Sequence, residues 1–373
     1  MLPALVLLAL VAFAAAMPGF QFAGRAATLH VLFAVGALPL IFGAMGHFIP
    51  VLTRSRAAPP RLAVLPLVAL LAGTLALLSL AVPGYFAARH AGATLGAAAA
   101  LAMLGWSRMR RRMTLGRPHP GLAWYEAALA CLAVALLAIL AGAVWPEQAP
   151  ALRRLHLHLN TLGFIGLTAI GTLSVLMPTA AATPDPHAGP RLRRDLPWAL
   201  GGSVAVAVGA AAFAPLAFLG AALWAVPLTR LAWAWRPLRG VIFAPHGAPP
   251  LLAAALAGFV ASLAFGAVAP LASGADPEAA FVAGFLLPLV SGAASQLLPT
   301  WLRPGAQGAW HATLRTHLTR YGGVRALLFL VAGLAAGSGQ TWGLALAAAT
   351  LVWFIVQAAV ALTRSRPLSR RPA

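Results

Sequence analysis

Apolar runs constrain this chain more than anything else in it. Stretches of about twenty residues pass repeatedly with hardly a charge, which is the length one helix needs to cross a bilayer. With 61% of its 373 residues hydrophobic and 9% charged, a soluble fold would leave more apolar surface than it could cover. Twelve such runs are expected, near 2–19, 28–50, 62–82, 85–106, 121–144, 156–178, 196–214, 216–236, 249–270, 279–299, 322–338 and 341–362. The expected fold class is all-α, a polytopic membrane protein of twelve transmembrane helices embedded in the lipid bilayer. The first run lacks the positive segment that opens a secretory signal, so it is expected to stay as the first helix.

Three runs share a pattern that ends on a proline. His156 to Pro178 reads HLHLNTLGFIGLTAIGTLSVLMP, with glycines 7, 12 and 15 residues before the proline and histidines 20 and 22 before it. Pro50 has Gly43 seven before it and His30 twenty before it. Pro299 has Gly292 seven before it, Gly284 fifteen before it, and no histidine in the corresponding turn. A recurrence at this spacing is the mark of an internal repeat. It divides the chain into three four-helix units, 1–115, 116–240 and 241–373, with the motif on the second helix of each. The last unit also carries a basic C-terminal tail.

Arginine placement supports that count. All 26 basic residues are arginine, and 22 of them, allowing Arg230 and Arg325 at helix ends, fall in the loops after even-numbered helices or in the tail. The positive-inside rule then puts both termini in the cytoplasm. Lying in short loops between apolar runs, these arginines set topology, and nucleic acid is not an expected partner. The single cysteine, Cys131, sits within an apolar run and excludes disulfides and cysteine metal sites. No sequence signature of a soluble hydrolase or nucleotide enzyme is present.

The remaining arginines are Arg25, Arg89, Arg153 and Arg154, each close to a histidine at the outer end of a helix: His30, His90, His156 or His158. Either they anchor helices at the interface, or they pair with anionic groups of a ligand that the histidines hold, as Arg does with carboxylates. His30 and His158, both twenty residues before their prolines, are expected at one depth and could share one iron. His156 and His158 project about 200° apart on a helix and cannot readily share a metal. His90 opens the fourth helix and could face the same cavity or simply the membrane interface. Glu126, six residues into the fifth helix, is the one carboxylate clearly inside a span, a candidate for ion pairing or proton transfer.

The stretch at His156 resembles the H-x-H helix of haem–copper oxidase catalytic subunits, especially the cbb3 branch, with Phe164 where that family has Trp. It is equally similar to the NnrS family of twelve-helix membrane proteins. The second helix is similar to the oxidase helix that supplies the other low-spin haem ligand. The resemblance implies a bacterial inner-membrane protein with His30 and His158 as axial ligands of a haem b, and His156 as ligand of a second haem. It also implies Arg25, Arg153 and Arg154 near the propionates and copper as a further candidate metal. A redox partner or oxidase assembly components would be its protein partners, in nitric oxide or metal stress or in electron transfer. Departures from the oxidase pattern are plain. The seventh helix has no histidine, the tenth has Gln296, and Tyr85, Tyr125 and Tyr321 all lie near helix ends. A dioxygen-reducing haem–copper pair is therefore not expected. The alternative is a permease that moves copper or haem past His30, His90, His156 and His158, and whether the protein is an enzyme stays open.

Overall fold

The computed structural model describes residues 1–22, 24–82, 84–271 and 273–364. Arg366, Arg370 and Arg371 of the basic tail lie outside the described residues. The chain is all-α. Its main helices are α1 (Leu2–Ala16), α2 (Arg25–Leu52), α3 (Pro60–Ala81), α4 (Phe86–Met113), α5 (Gly121–Val144), α6 (Pro146–Ala180) and α7 (Ala188–Ala212). They continue as α8 (Ala214–Ala234), α9 (Pro249–Val268), α10 (Pro277–Leu302), α11 (Ala309–Thr319), α12 (Gly322–Gly337) and α13 (Thr341–Arg364). Among the described residues, ten helical segments are long and apolar enough to cross a membrane, with α11 and α12 counted as one. The shorter α1 and the arginine-ended α4 are not among the ten. The protein is a multi-pass membrane protein.

Proline opens several of these helices. Pro60, Pro146, Pro249 and Pro277 stand at the first helical position, where the missing N–H costs nothing. Asp276 caps α10, accepting a hydrogen bond from the Ala279 amide at 2.9 Å. Some helices run well beyond their apolar cores. α6 begins at Pro146, so His156 and His158 lie turns inside it and do not open it. α4 continues through Arg108, Arg110, Arg111 and Arg112, which suit a helix C-terminus. Where a loop is expected before the eleventh run, α11 forms, and it ends where Tyr321 takes a left-handed φ of 59°.

Two compact units divide the chain. One comprises Met1–Val175 with Pro184–Ala234, and the other Leu176–Thr183 with Trp235–Ala373. In the first, α7 and α8 form a hairpin joined through Phe213, and α3, α4 and α5 pack in succession. In the second, α9 packs on α10 and α12, and α12 on α13.

The three motif helices share an irregularity that no composition signal announces. Each holds a π-helical segment: Val31–Ala37 in α2, Leu159–Gly166 in α6 and Phe281–Leu286 in α10. Counted back from Pro50, Pro178 and Pro299, the three segments overlap. The glycine seven residues before each proline lies against the preceding helix. A Cβ there would come within 2.6 Å of Leu5 at Gly43, 2.8 Å of Trp124 at Gly171 and 2.9 Å of Leu251 at Gly292. Only a residue without a side chain permits that approach. α2 and α6 also end alike. Arg54 and Ala182, each four residues after the proline, take φ of 49° and 50°. The Ser55 and Thr183 amides donate back to the Pro50 and Pro178 carbonyls at 2.9 and 3.0 Å, as in a Schellman ending.

Candidate functional site

The first compact unit gathers the histidines that the sequence singles out. His30 is the last α-helical residue of α2 before its π segment, and His158 holds the same place in α6. π turns are uncommon and recur at functional positions. They widen the backbone where these rings project.

The ring that meets His30 is His156. Their centroids are 6.4 Å apart and their planes lie within 13° of parallel. Among the described residues no ring contact joins His30 to His158. The pairing differs from the one that counting back from the prolines predicts. Both helices are interrupted by a π segment, of seven residues in α2 and eight in α6, so a residue count from the proline does not fix a face as it would on a regular α-helix.

All three rings are held through Nδ1. His30 Nδ1 lies 2.7 Å from the Ala26 carbonyl, His156 Nδ1 2.9 Å from the Ala135 carbonyl and His158 Nδ1 2.9 Å from the Arg154 carbonyl. A carbonyl only accepts, so each Nδ1 carries the hydrogen and each Nε2 presents its lone pair. This is the tautomer of a histidine that ligates through Nε2, with a backbone acceptor fixing the ring. The three residues are half-buried.

Asn160 also belongs to this cluster. Its Nδ2 donates to the His156 carbonyl at 2.8 Å and lies 3.3–3.4 Å from both ring nitrogens of His156. The sequence reading passed over it. Its signal was available, since a lone amide four residues after a histidine falls on the same helix face. Nothing in the sequence marks Ala135, whose contribution is a carbonyl.

Arginines around the cluster play different parts. Arg154 turns away from a ligand role: its Nε donates to the Ala210 carbonyl at 2.7 Å and its Nη2 to that of Ala211 at 3.3 Å, closing the C-terminal end of α7. Arg153 and Arg25 are exposed, and among the described residues Arg153 has no hydrogen-bond or ion-pair partner. On α4, Arg89 Nε and His90 Nε2 are both buried without a partner. Glu126 is buried but not alone. Arg111 Nη1 reaches its Oε2 at 2.6 Å and Ser107 Oγ donates to Oε1 at 3.3 Å. That contact ties α4 to α5.

Other histidines do a contrasting job. His119, His246 and His311 each accept a backbone N–H on Nδ1, from Gly121, Tyr321 and Gly308 at 3.1, 3.0 and 3.1 Å. They brace turns. His311 is buried, and its Nε2 donates to the Arg303 carbonyl at 2.9 Å.

Among the described residues no group of three or more His, Cys, Asp and Glu side chains could hold a metal ion. The histidine pair has only two donors of its own to offer. A scan of protein-family models, a search of curated proteins and a search of solved structures each found no match to this chain.

Proposed function

We propose that the protein is a multi-pass haem b protein of the bacterial inner membrane, related to the NnrS and haem–copper oxidase-like group. In this reading it has twelve spans in three sets of four, and both termini are cytoplasmic. His30 and His156 would hold the haem iron. The observation that carries the reading is their near-parallel placement, with each Nδ1–H turned to a carbonyl and, on His156, only the Asn160 amide at 3.4 Å beside Nε2. With ligand bonds of about 2 Å, two imidazoles on opposite sides of one metal would have centroids about 6 Å apart; the rings of His30 and His156 are 6.4 Å apart. Two protein donors also favour haem over a bare ion. A structural zinc site takes four protein ligands, whereas a porphyrin leaves only the axial positions to the chain.

His158, two residues on and facing away, is left for a second centre. This exchanges the roles that the family resemblance gives to His156 and His158. Arg25 and Arg153, exposed near the same histidines, are the cations for propionates, while Arg154 serves α7. A haem held by His30 and His156 would supply one-electron redox chemistry, and a site for nitric oxide would belong to the second centre at His158. The protein groups fix ring orientation and hold Nδ1 protonated. A role in electron transfer or in the nitric oxide and metal stress response follows from that chemistry.

Protein purified from haem-replete cells tests the reading. The expected result is a reduced-minus-oxidised b-type spectrum, with pyridine haemochrome giving one or two haems per chain. Colourless protein that carries copper would turn the histidine pair into a permease site. Colourless protein without metal would refute both.

A further inference from the structure

α7 and α8 form a tight hairpin, because Phe213 alone separates them. Its open end brings the first turns of α7 beside the last turns of α8. There a cavity of about 570 Å³ is lined by His187, Arg191, Arg194, Thr229, Arg230 and Trp233.

The charges in this cavity are only partly matched. Asp195, buried, takes both Arg230 Nη1 at 2.8 Å and Arg194 Nε at 3.3 Å. Asp185 takes Arg191 Nη2 at 2.7 Å. Three guanidinium groups thus face two carboxylates. Arg191 is the informative one. Its side chain is 8% exposed, and its Nε–H is buried without an acceptor. A buried donor on a charged group is costly to leave unmet. That Nε–H is closed off from the cavity, but Nη1 of Arg191 has no hydrogen-bond partner among the described residues, and an oxyanion in the cavity would take it and balance the remaining positive charge.

Location narrows the choice of anion. The cavity lies at the ends of two membrane-spanning helices, and Trp233, which lines it in the last turn of α8, is 68% exposed. Exposed tryptophans at helix ends mark the headgroup level of a bilayer. Basic pockets between helices at that level suit acidic headgroups.

We propose that this cavity binds the phosphate of an anionic phospholipid, with Arg191 as the principal donor and Arg194 and Arg230 at its rim. Delipidated full-length protein would be melted with added phosphatidylglycerol, phosphatidylcholine or inorganic phosphate. The expected result is a rise in Tm with phosphatidylglycerol only. Arg191→Gln should raise the half-saturating lipid concentration by roughly ten-fold, the scale of one hydrogen bond to a charged group. Arg112→Gln, at an exposed arginine of α4, should leave that concentration unchanged. If Arg191→Gln does not fold, Arg194→Gln carries the same comparison, since Asp195 keeps Arg230. Stabilisation by inorganic phosphate equal to that by lipid would overturn the lipid assignment. An equal loss in Arg112→Gln would reduce the effect to general surface charge and overturn the site.

Discussion

α6 and α10 are built to one plan and filled differently. Both carry a π segment in the same register, and both set a glycine against the preceding helix seven residues before a proline. By the same count, where α6 has His156 and His158, α10 has Pro277 and Ala279. Beside its π segment α10 has an aromatic cluster. Phe281 and Phe285 lie 4.8 Å from each other and 6.1 and 4.8 Å from Phe259. Such pairs add about 0.5–1.5 kcal/mol each beyond the area they bury. The fold therefore forms a π turn and a close glycine contact without any histidine. The rings of α2 and α6 are not required by the architecture, and chemistry is the better reason for their presence.

The strongest test of that contrast removes the rings. If the pair holds a haem as proposed, His30→Ala and His156→Ala should each abolish its low-spin signal, and the double substitution should add little because the two would act on one iron. His158→Ala should keep that signal in electron paramagnetic resonance. Loss with His158→Ala and retention with His156→Ala would restore the pairing that equal residue counts imply.

Next in size are the glycines, which should matter equally with or without histidines. Gly171→Leu and Gly292→Leu force a side chain into Trp124 and Leu251, and each should cost about 1–3 kcal/mol. Gly46→Leu, whose Cβ meets nothing within 4 Å, should lower Tm far less. Haem content per folded molecule should not change in Gly292→Leu. If it falls, α10 takes part in the site and the contrast fails.

A smaller effect is expected at Glu126. Arg111 is 51% exposed and regains water when its partner is lost. Glu126→Gln should therefore cost about 1 kcal/mol or less. It should leave the haem spectrum as it was. A shift in proton-coupled redox behaviour would instead make this carboxylate a proton carrier.

The smallest effect separates the turn-bracing histidines from the cluster. Burial, with Arg193 nearby, holds His119 below its ordinary value of 6.5. The unfolded chain thus binds the proton more readily than the folded one. Stability from this residue is full above about pH 6.5 and declines as pH falls through that range. His119→Asn should flatten that part of the Tm profile slightly. An unchanged profile would mean that the Gly121 contact carries no weight.

Much of the fold was legible because it follows from apolar run length and proline position. Each of the twelve runs overlies a helix, although the comparison by length and apolarity counts ten spans. Helix ends were read less well, since arginine-bearing turns continue a helix as readily as leucine does. This hid the start of α6, the end of α4 and the whole of α11. In the site, the residue types were visible and their partners were not. His30 meeting His156 depends on how two helices interrupted by π segments pack, and no side-chain pattern announces those segments. Glu126 stood out as a charge in an apolar run, but its pairing with Arg111 required knowing that α4 extends past residue 106.

Arg154 joins two tasks in one residue. Its side chain grips the last carbonyls of α7, and its own carbonyl receives the His158 ring. The residue that closes the last turn of α7 thus also supplies the acceptor that orients the His158 ring, so the hairpin and the histidine share one attachment point on α6. Lysine would keep the charge and the backbone acceptor but lose the forked grip on two carbonyls.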